Sequence, residues 1–213
     1  MKNNFIIIFL FYFFLSVLSY ADTFKFETSN IEIIEGGNLI YAGKGKAFTQ
    51  DKDLEIISDK FEYIKDLDIL KTKGNGSALI KSQGIEIEFD KSIVNQKKSV
   101  IEASGNVVVY QNKKNLIIKS DFLEYNQNTS ELIANGNVRI YQINKGLEIE
   151  TQSITYDKKE NSIKSITKTK LIDKQQNIYN FDKFFYEINK NILKVENINF
   201  KDTENNKFAS SIA

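Results

Sequence analysis

The side chains best placed to do chemistry are carboxylates at a fixed spacing. Asp59, Asp90 and Asp121 recur every 31 residues. Stacked carboxylates can bind calcium or act as acid and base. The competing reading is structural, because an Asp side chain accepts hydrogen bonds from nearby backbone and so suits a chain corner. Lys60 and Lys91 directly follow two of the three. We read the column as a corner and expect no metal there. Other catalytic chemistry lacks its parts. The chain has 0 Cys and 0 His, which removes thiolate nucleophiles, Ser-His pairs and zinc sites built from thiolate or imidazole. Asp and Glu pairs remain available for glycoside hydrolysis, but no nucleophile–base set accompanies them. No catalytic residue is assigned, no enzyme is expected, and no cofactor is implied.

Charge points the same way. There are 29 basic and 28 acidic side chains, for a formal net charge of +1. Arg139 is the only arginine, so guanidinium forks for phosphate are almost absent. Nucleic acid is not an expected partner. A hydrophobic content of 41% is enough for a core, and the absence of Pro argues against low-complexity linkers.

The N-terminus is a separate object. Lys2 precedes an apolar run from Phe5 to Leu18, broken only by Ser16, and Ser19-Tyr20-Ala21 places small residues at the two positions a signal peptidase reads. The run is 14 residues long, against about 20 for a comfortable transmembrane helix. Residues 1–21 therefore read as a cleaved signal peptide rather than a retained anchor, and 22–213 as the exported domain.

That domain repeats. Gly43, Gly74, Gly105 and Gly136 are each 31 residues apart, and Asn75, Asn106 and Asn137 follow three of them. Other columns keep the same period: Leu54, Ile85, Leu116 and Leu147; Ile56, Ile87, Ile118 and Ile149; Tyr63, Val94, Tyr125 and Tyr156. A chance glycine spacing would not carry these columns with it. A fifth unit begins at Thr167 without its glycine, and residues 195–213 begin a sixth.

Within a unit the period is two, which means strands. Ile101, Ala103, Gly105, Val107 and Val109 alternate with Glu102, Ser104, Asn106, Val108 and Tyr110. This pattern puts Gly105 on an inward-facing strand position, with Gly136 in the same place one repeat later. Past Ser120 the inward phase slips by one residue to continue at Leu123 and Tyr125, so a bulge or corner is required at the Asp column. The expected fold is all-β: a stack of V-shaped or jelly-roll rungs, one per 31-residue repeat, with the aliphatic columns inside. Early rungs carry Gly45, Ala47, Gly76 and Ala78 where later ones carry Val107, Val109, Val138 and Ile140. Either the interior is wider at that end, or large residues such as Phe48 and Phe89 fill it. Aliphatic columns at period two do not by themselves distinguish a packed core from a groove.

The repeated pattern carries a family resemblance. It runs Gly105-Asn106-Val107-Val108-Val109, Leu116-Ile117-Ile118-Lys119-Ser120-Asp121 and Leu123-Glu124-Tyr125-Asn126, then again Gly136-Asn137-Val138-Arg139-Ile140, Leu147-Glu148-Ile149 and Ile154-Thr155-Tyr156-Asp157. This array resembles the organic-solvent-tolerance (OstA) domain shared by LptA-type periplasmic lipopolysaccharide carriers and the N-terminal part of LptD-type outer-membrane translocons. The resemblance implies a β-jelly roll in the periplasm whose apolar interior holds lipid A acyl chains. The implied lining is Val107, Val109, Leu116, Ile118, Val138, Ile140, Leu147 and Ile149. Implied partners are lipopolysaccharide and other Lpt jelly rolls joined end to end by strand pairing, with each edge capped by its own terminus as the alternative. Lys97-Lys98 and Lys113-Lys114 read as solvated loop charges, with contact to lipid phosphates at a groove mouth as the lesser alternative. Asp173 to Tyr179 and Asp202 to Phe208 resemble each other, and the chain runs on into a further rung. Both features are similar to an LptD N-terminal part ahead of its barrel, which would then be a partner. Absence of Cys keeps the LptA type open, and the membrane-anchored LptC type comes third. A different class also fits the columns: a secreted structural or adhesin-like β-solenoid with no lipid role.

Overall fold

The computed structural model describes residues 23–111, 115–204 and 206–212; the signal segment 1–21 and the pair Lys113-Lys114 lie outside them. The strands are β1 Phe24–Thr28, β2 Ile31–Ile34, β3 Leu39–Ala42, β4 Gly45–Thr49, β5 Leu54–Ser58, β6 Lys60–Ile64, β7 Ile69–Ile80, β8 Ile85–Asn95, β9 Val100–Gln111, β10 Leu116–Asn126, β11 Glu131–Gln142, β12 Leu147–Asp157, β13 Ser162–Ser165, β14 Thr169–Ile172, β15 Ile178–Phe181, β16 Lys183–Glu187, β17 Ile192–Lys201 and β18 Lys207–Ile212. All pairings are antiparallel and join one continuous sheet.

The sheet folds on itself because its middle strands bend. Each of β7 to β12 crosses two walls, with a corner at its centre. One wall holds the half-strands around Ile87, Val109, Ile118 and Ile140, and the other those around Val94, Ile101, Leu123 and Leu132. Hairpin turns join successive strands, so one 31-residue repeat is two antiparallel V-shaped strands rather than one rung. The turns themselves stack: Gln96 N donates to Asp68 O at 3.1 Å, Gln127 N to Ser99 O at 2.8 Å and Lys158 N to Ser130 O at 3.1 Å.

The corner carries the phase change expected there. On β10, Ser120 opposes Val107 and Phe122 opposes Ser104 on β9. Asp121 thus faces two residues, Gly105 and Asn106, which is a β-bulge. The inward position expected for the glycines is corrected by this geometry. Gly105 and Gly136 have φ of +76° and +77°, a left-handed conformation that disfavours any Cβ. An added Cβ at Gly136 would lie 2.5 Å from Asp121 Oδ2, and at Gly105 2.5 Å from Asp90 Oδ2. Asn106 and Asn137 are left-handed as well, at +48° and +46°, as short polar side chains permit. Their amides close the corner: Asn106 Nδ2 donates to Asp90 Oδ2 at 2.9 Å and Asn137 Nδ2 to Asp121 Oδ2 at 2.8 Å. Asp90 and Asp121 are therefore occupied by hydrogen bonds from the next strand. No metal-binding group of three or more acidic side chains occurs among the described residues.

The fifth repeat lacks these residues. Gln152 stands in the Asp column and Thr167 in the glycine column. There the bent strand splits into β13 and β14 around Ile166 to Lys168. Thr151 Oγ1 instead lies 3.2 Å from Ser165 Oγ and 2.7 Å from Thr167 Oγ1, in a cluster of hydroxyls. The corner returns at Asp182, which accepts from Asn197 Nδ2 at 2.8 Å.

The bulge makes a testable demand. Gly136→Ala should destabilise the chain by about 1–3 kcal/mol, from left-handed backbone and collision with Asp121. The same substitution in an Asp121→Ala background should cost less, because the colliding carboxylate is gone. Urea denaturation of the four chains of this cycle measures the coupling, and an unchanged midpoint for Gly136→Ala contradicts the bulge.

Candidate functional site

The site is the space between the walls. Inward residues of adjacent strands align in cross-strand rows. One row runs along the first wall from Ile56 through Ala78, Ile87 and Val109 to Ile118, and on through Ile140, Ile149 and Leu171 to Tyr179 and Phe200. Strand alternation alone produces it, since each register keeps inward residues opposite one another.

The predicted lining residues all lie on this wall, two each on β9, β10, β11 and β12. Val107, Val109, Leu116, Ile118, Val138, Ile140 and Ile149 are at most 3% exposed, and Leu147 is half-buried. They pack against an opposite wall that sequence reasoning left out of the site: Leu123, Tyr125, Leu132, Ile154, Tyr156 and Ile163. The tyrosine column was visible in the repeat, and its period-two phase marked it as inward.

The early rungs are filled by aromatic rings. Phe24 meets Tyr63 edge-on with centroids 5.4 Å apart, and Phe26 meets Phe61 at 5.9 Å. A Cβ on Gly76 would strike the Phe89 ring, so Phe89 takes the volume that the small residues leave. The interior opens at the other end instead. A cavity of about 200 Å³ is lined by Leu147, Ile149, Leu171, Asp173, Tyr179, Tyr186, Asn191 and Leu193.

The walls are offset where they meet. Turns of the first wall touch second-wall turns several strands later: Thr23 Oγ1 donates to Asp68 Oδ2 at 3.0 Å, and the Lys158 ammonium donates to the Gln83 side chain. This offset leaves inward residues uncovered at the sheet's ends. Ile31 and Ile33 on β2 pair with the buried Ala42 and Ile40, yet they are 49% and 59% exposed.

The mouth of the V is polar. Gln111 and Gln142, one repeat apart, are buried in the inward phase at the end of their strands. Gln96 Nε2, Gln111 Oε1 and Gln127 Nε2 are buried without a hydrogen-bond partner, which weakens this seam. Tyrosine hydroxyls reach the same edge. Tyr63 Oη donates to Asp68 Oδ1 at 2.9 Å. Burial, then the hydrogen bond and charge of Asp68, push its pKa up to about 12. Burial also raises Tyr125 and Tyr156.

The Asp173 and Asp202 loops that look alike in sequence are alike in structure. Asp173 Oδ1 accepts from Gln175 N and Asn177 N, both at 2.9 Å, and Asp202 Oδ1 accepts from Glu204 N at 2.9 Å and Asn206 N at 2.8 Å. Lys97 lies on a stacked turn and donates to the Asp66 carbonyl.

A bent antiparallel sheet closed around an apolar interior defines a jelly-roll module whose distinctive surface is internal. A family model described as OstA-like protein matches residues 55–208, and the chain belongs to that family. The fold is also similar to a crystal structure of LptH from Pseudomonas aeruginosa, the LptA homologous periplasmic component of its conserved lipopolysaccharide transport device. The identity is 19%, over 55% of this chain and 84% of that chain, with a TM-score of 0.49. No curated protein matches the chain.

The tyrosine edge predicts alkaline instability. An unfolded tyrosine titrates near 10, below folded Tyr63 at about 12. The stability this group contributes is present below the unfolded value and is lost as pH rises through the folded one. Denaturation midpoints should therefore fall above a pH of about 10, with less fall in Tyr63→Phe. An equal fall in both chains contradicts the assignment.

Proposed function

We propose that this chain is a periplasmic module that holds lipopolysaccharide by its acyl chains and passes it toward the outer membrane. The observation that carries this reading is the unbroken apolar row from Ile56 to Phe200 along one wall, together with membership of the OstA-like family. An extended hydrocarbon chain is matched by such a row, because both are apolar, and the one hydroxyl in the row, on Tyr179, is satisfied by Asp173. The chemistry is binding and transfer, with no catalytic step.

Val107, Val109, Leu116, Ile118, Val138, Ile140, Leu147 and Ile149 are the lining proposed to meet acyl chains. Seven of them lie in close packing between the walls, so lipid reaches them when the walls part along the polar mouth. The unpartnered glutamine atoms there lower the cost of parting, because they lose no hydrogen bond when the mouth opens to water. The uncovered inward residues Ile31 and Ile33 suit the proposed end-to-end pairing with another jelly roll of the same kind. There a partner's strand would continue the sheet and cover the apolar face. In the finer reading, this module is the N-terminal part of an LptD-type translocon, with the barrel as its neighbour, or a carrier of the LptA type.

The test is photo-crosslinking in living cells. A crosslinking residue at Ile118 or Ile140 should capture lipopolysaccharide, whereas one at Lys119 on β10 or Asn106 on the neighbouring β9, both exposed, should not. Equal capture at both sets, or capture at neither, contradicts the reading.

A further inference from the structure

The open end of the interior carries a charge that the packing does not neutralise. Lys145 sits in the turn between β11 and β12, beside Leu147. Its ammonium donates to Tyr186 Oη at 2.9 Å, to Ile188 O at 3.2 Å and to Asn191 Oδ1 at 2.7 Å. All three acceptors are neutral, and no ion pair among the described residues includes Lys145. Tyr186 and Asn191 also line the 200 Å³ cavity, with Leu147, Ile149, Leu171 and Leu193. A cation held by neutral oxygens, with the Tyr186 ring centroid 5.4 Å away, thus stands at the rim of an apolar cavity.

The two ends of this arrangement match the two ends of one kind of molecule. The cavity wall is hydrocarbon. The carboxylate that lines it, Asp173, is engaged by its own loop through Gln175 N, Asn177 N, Asn177 Nδ2 and Tyr179 Oη. Of the three Lys145 contacts, the one to Asn191 is exposed, so it is the one an incoming group can replace. An anionic oxygen there would add an opposite charge to a bond that now ends on a neutral amide oxygen. The Tyr186 hydroxyl, fixed on Gln142 Oε1 at 2.8 Å, keeps the ammonium in place during the exchange.

The geometry points to an anionic acyl lipid as the occupant: its hydrocarbon chain enters between Leu147, Ile149, Leu171 and Leu193, and its anionic oxygen bonds the Lys145 ammonium. This inference rests on the interior being the acyl-binding face, and adds to it where a chain enters and which head group is preferred. Lys145 is a specificity determinant, whereas the hydrocarbon wall is indifferent to the head group.

Calorimetry on the full chain tests it, with dodecyl phosphate, dodecyl maltoside and inorganic phosphate, each below micelle-forming concentration. Dodecyl phosphate should bind about tenfold or more tightly than the maltoside, as the added ion pair implies, and inorganic phosphate should not bind. Lys145→Met should bring the two detergents to within about threefold of each other without weakening the maltoside, and Lys145→Arg should keep the preference. Leu193→Asn, at a side chain 37% exposed, should weaken both detergents alike with the melting curve preserved. Equal affinity of the two detergents, a preference that survives Lys145→Met, binding of neither, inorganic phosphate binding as tightly as dodecyl phosphate, or indifference to Leu193→Asn would each overturn the proposal. Lipopolysaccharide capture at Ile140 judges the interior separately, so a chain that captures there yet fails here loses only this site.

Discussion

A single sheet has nothing to pack against but itself, and the corner that lets it fold back is what the rest of the structure depends on. A strand crossing from one wall to the other must keep its apolar side chains inside both. At period two this requires one strand to slip by a residue while its neighbour carries the extra one. The Asp of one strand and the Gly-Asn of the next do this together. The glycine accepts the left-handed turn, and the carboxylate takes the amide of the asparagine. Where Gln152 and Thr167 replace them, a cluster of hydroxyls around Thr151 stands in place of the carboxylate–amide bond. The carboxylates that looked most chemical in the sequence are consumed in making the bend.

Closure of the bend produces the apolar interior as a by-product of register. Ile87, Val109, Ile118 and Ile140 align because antiparallel pairing repeats across equal strands. The same repetition carries the row into the last strands, where the opposite wall no longer covers it. A closed sandwich would end in a cap of packed side chains. Here the aromatic fill is at one end, around Phe24, Phe61 and Phe89, and a lined cavity is at the other. A polar edge of glutamine, tyrosine and lysine separates the interior from water along the mouth.

Much of this was legible in the residues. The 31-residue period, the inward phase of Val107 and Ile118, and the slip at Asp121 follow from alternation, which local sequence determines. The similarity of the Asp173 and Asp202 loops was readable because each Asp is followed four residues on by an Asn, whose backbone N–H and side-chain amide both donate to it. The handedness at Gly105 and Gly136 was misread, since a glycine in the inward phase of a strand looks like a small inward residue; the asparagine that follows each was the available signal. The offset between the walls was not legible. It depends on the accumulated twist of many strands, and no residue pair near in sequence encodes it. For that reason the meeting of Lys145 with Tyr186 and Asn191, and the cavity beside them, could not be anticipated from the columns.

The central claim is that the bent sheet encloses a space for lipid acyl chains, and native mass spectrometry of the chain purified from its own cell envelope tests it most directly. The account predicts bound acyl lipid on the intact protein, identified as lipid A-containing species after release, and lost from a chain in which Ile149 is replaced by Asn and which still melts cooperatively. A chain that leaves the envelope free of lipid, or that keeps the same lipid after that replacement, would contradict it.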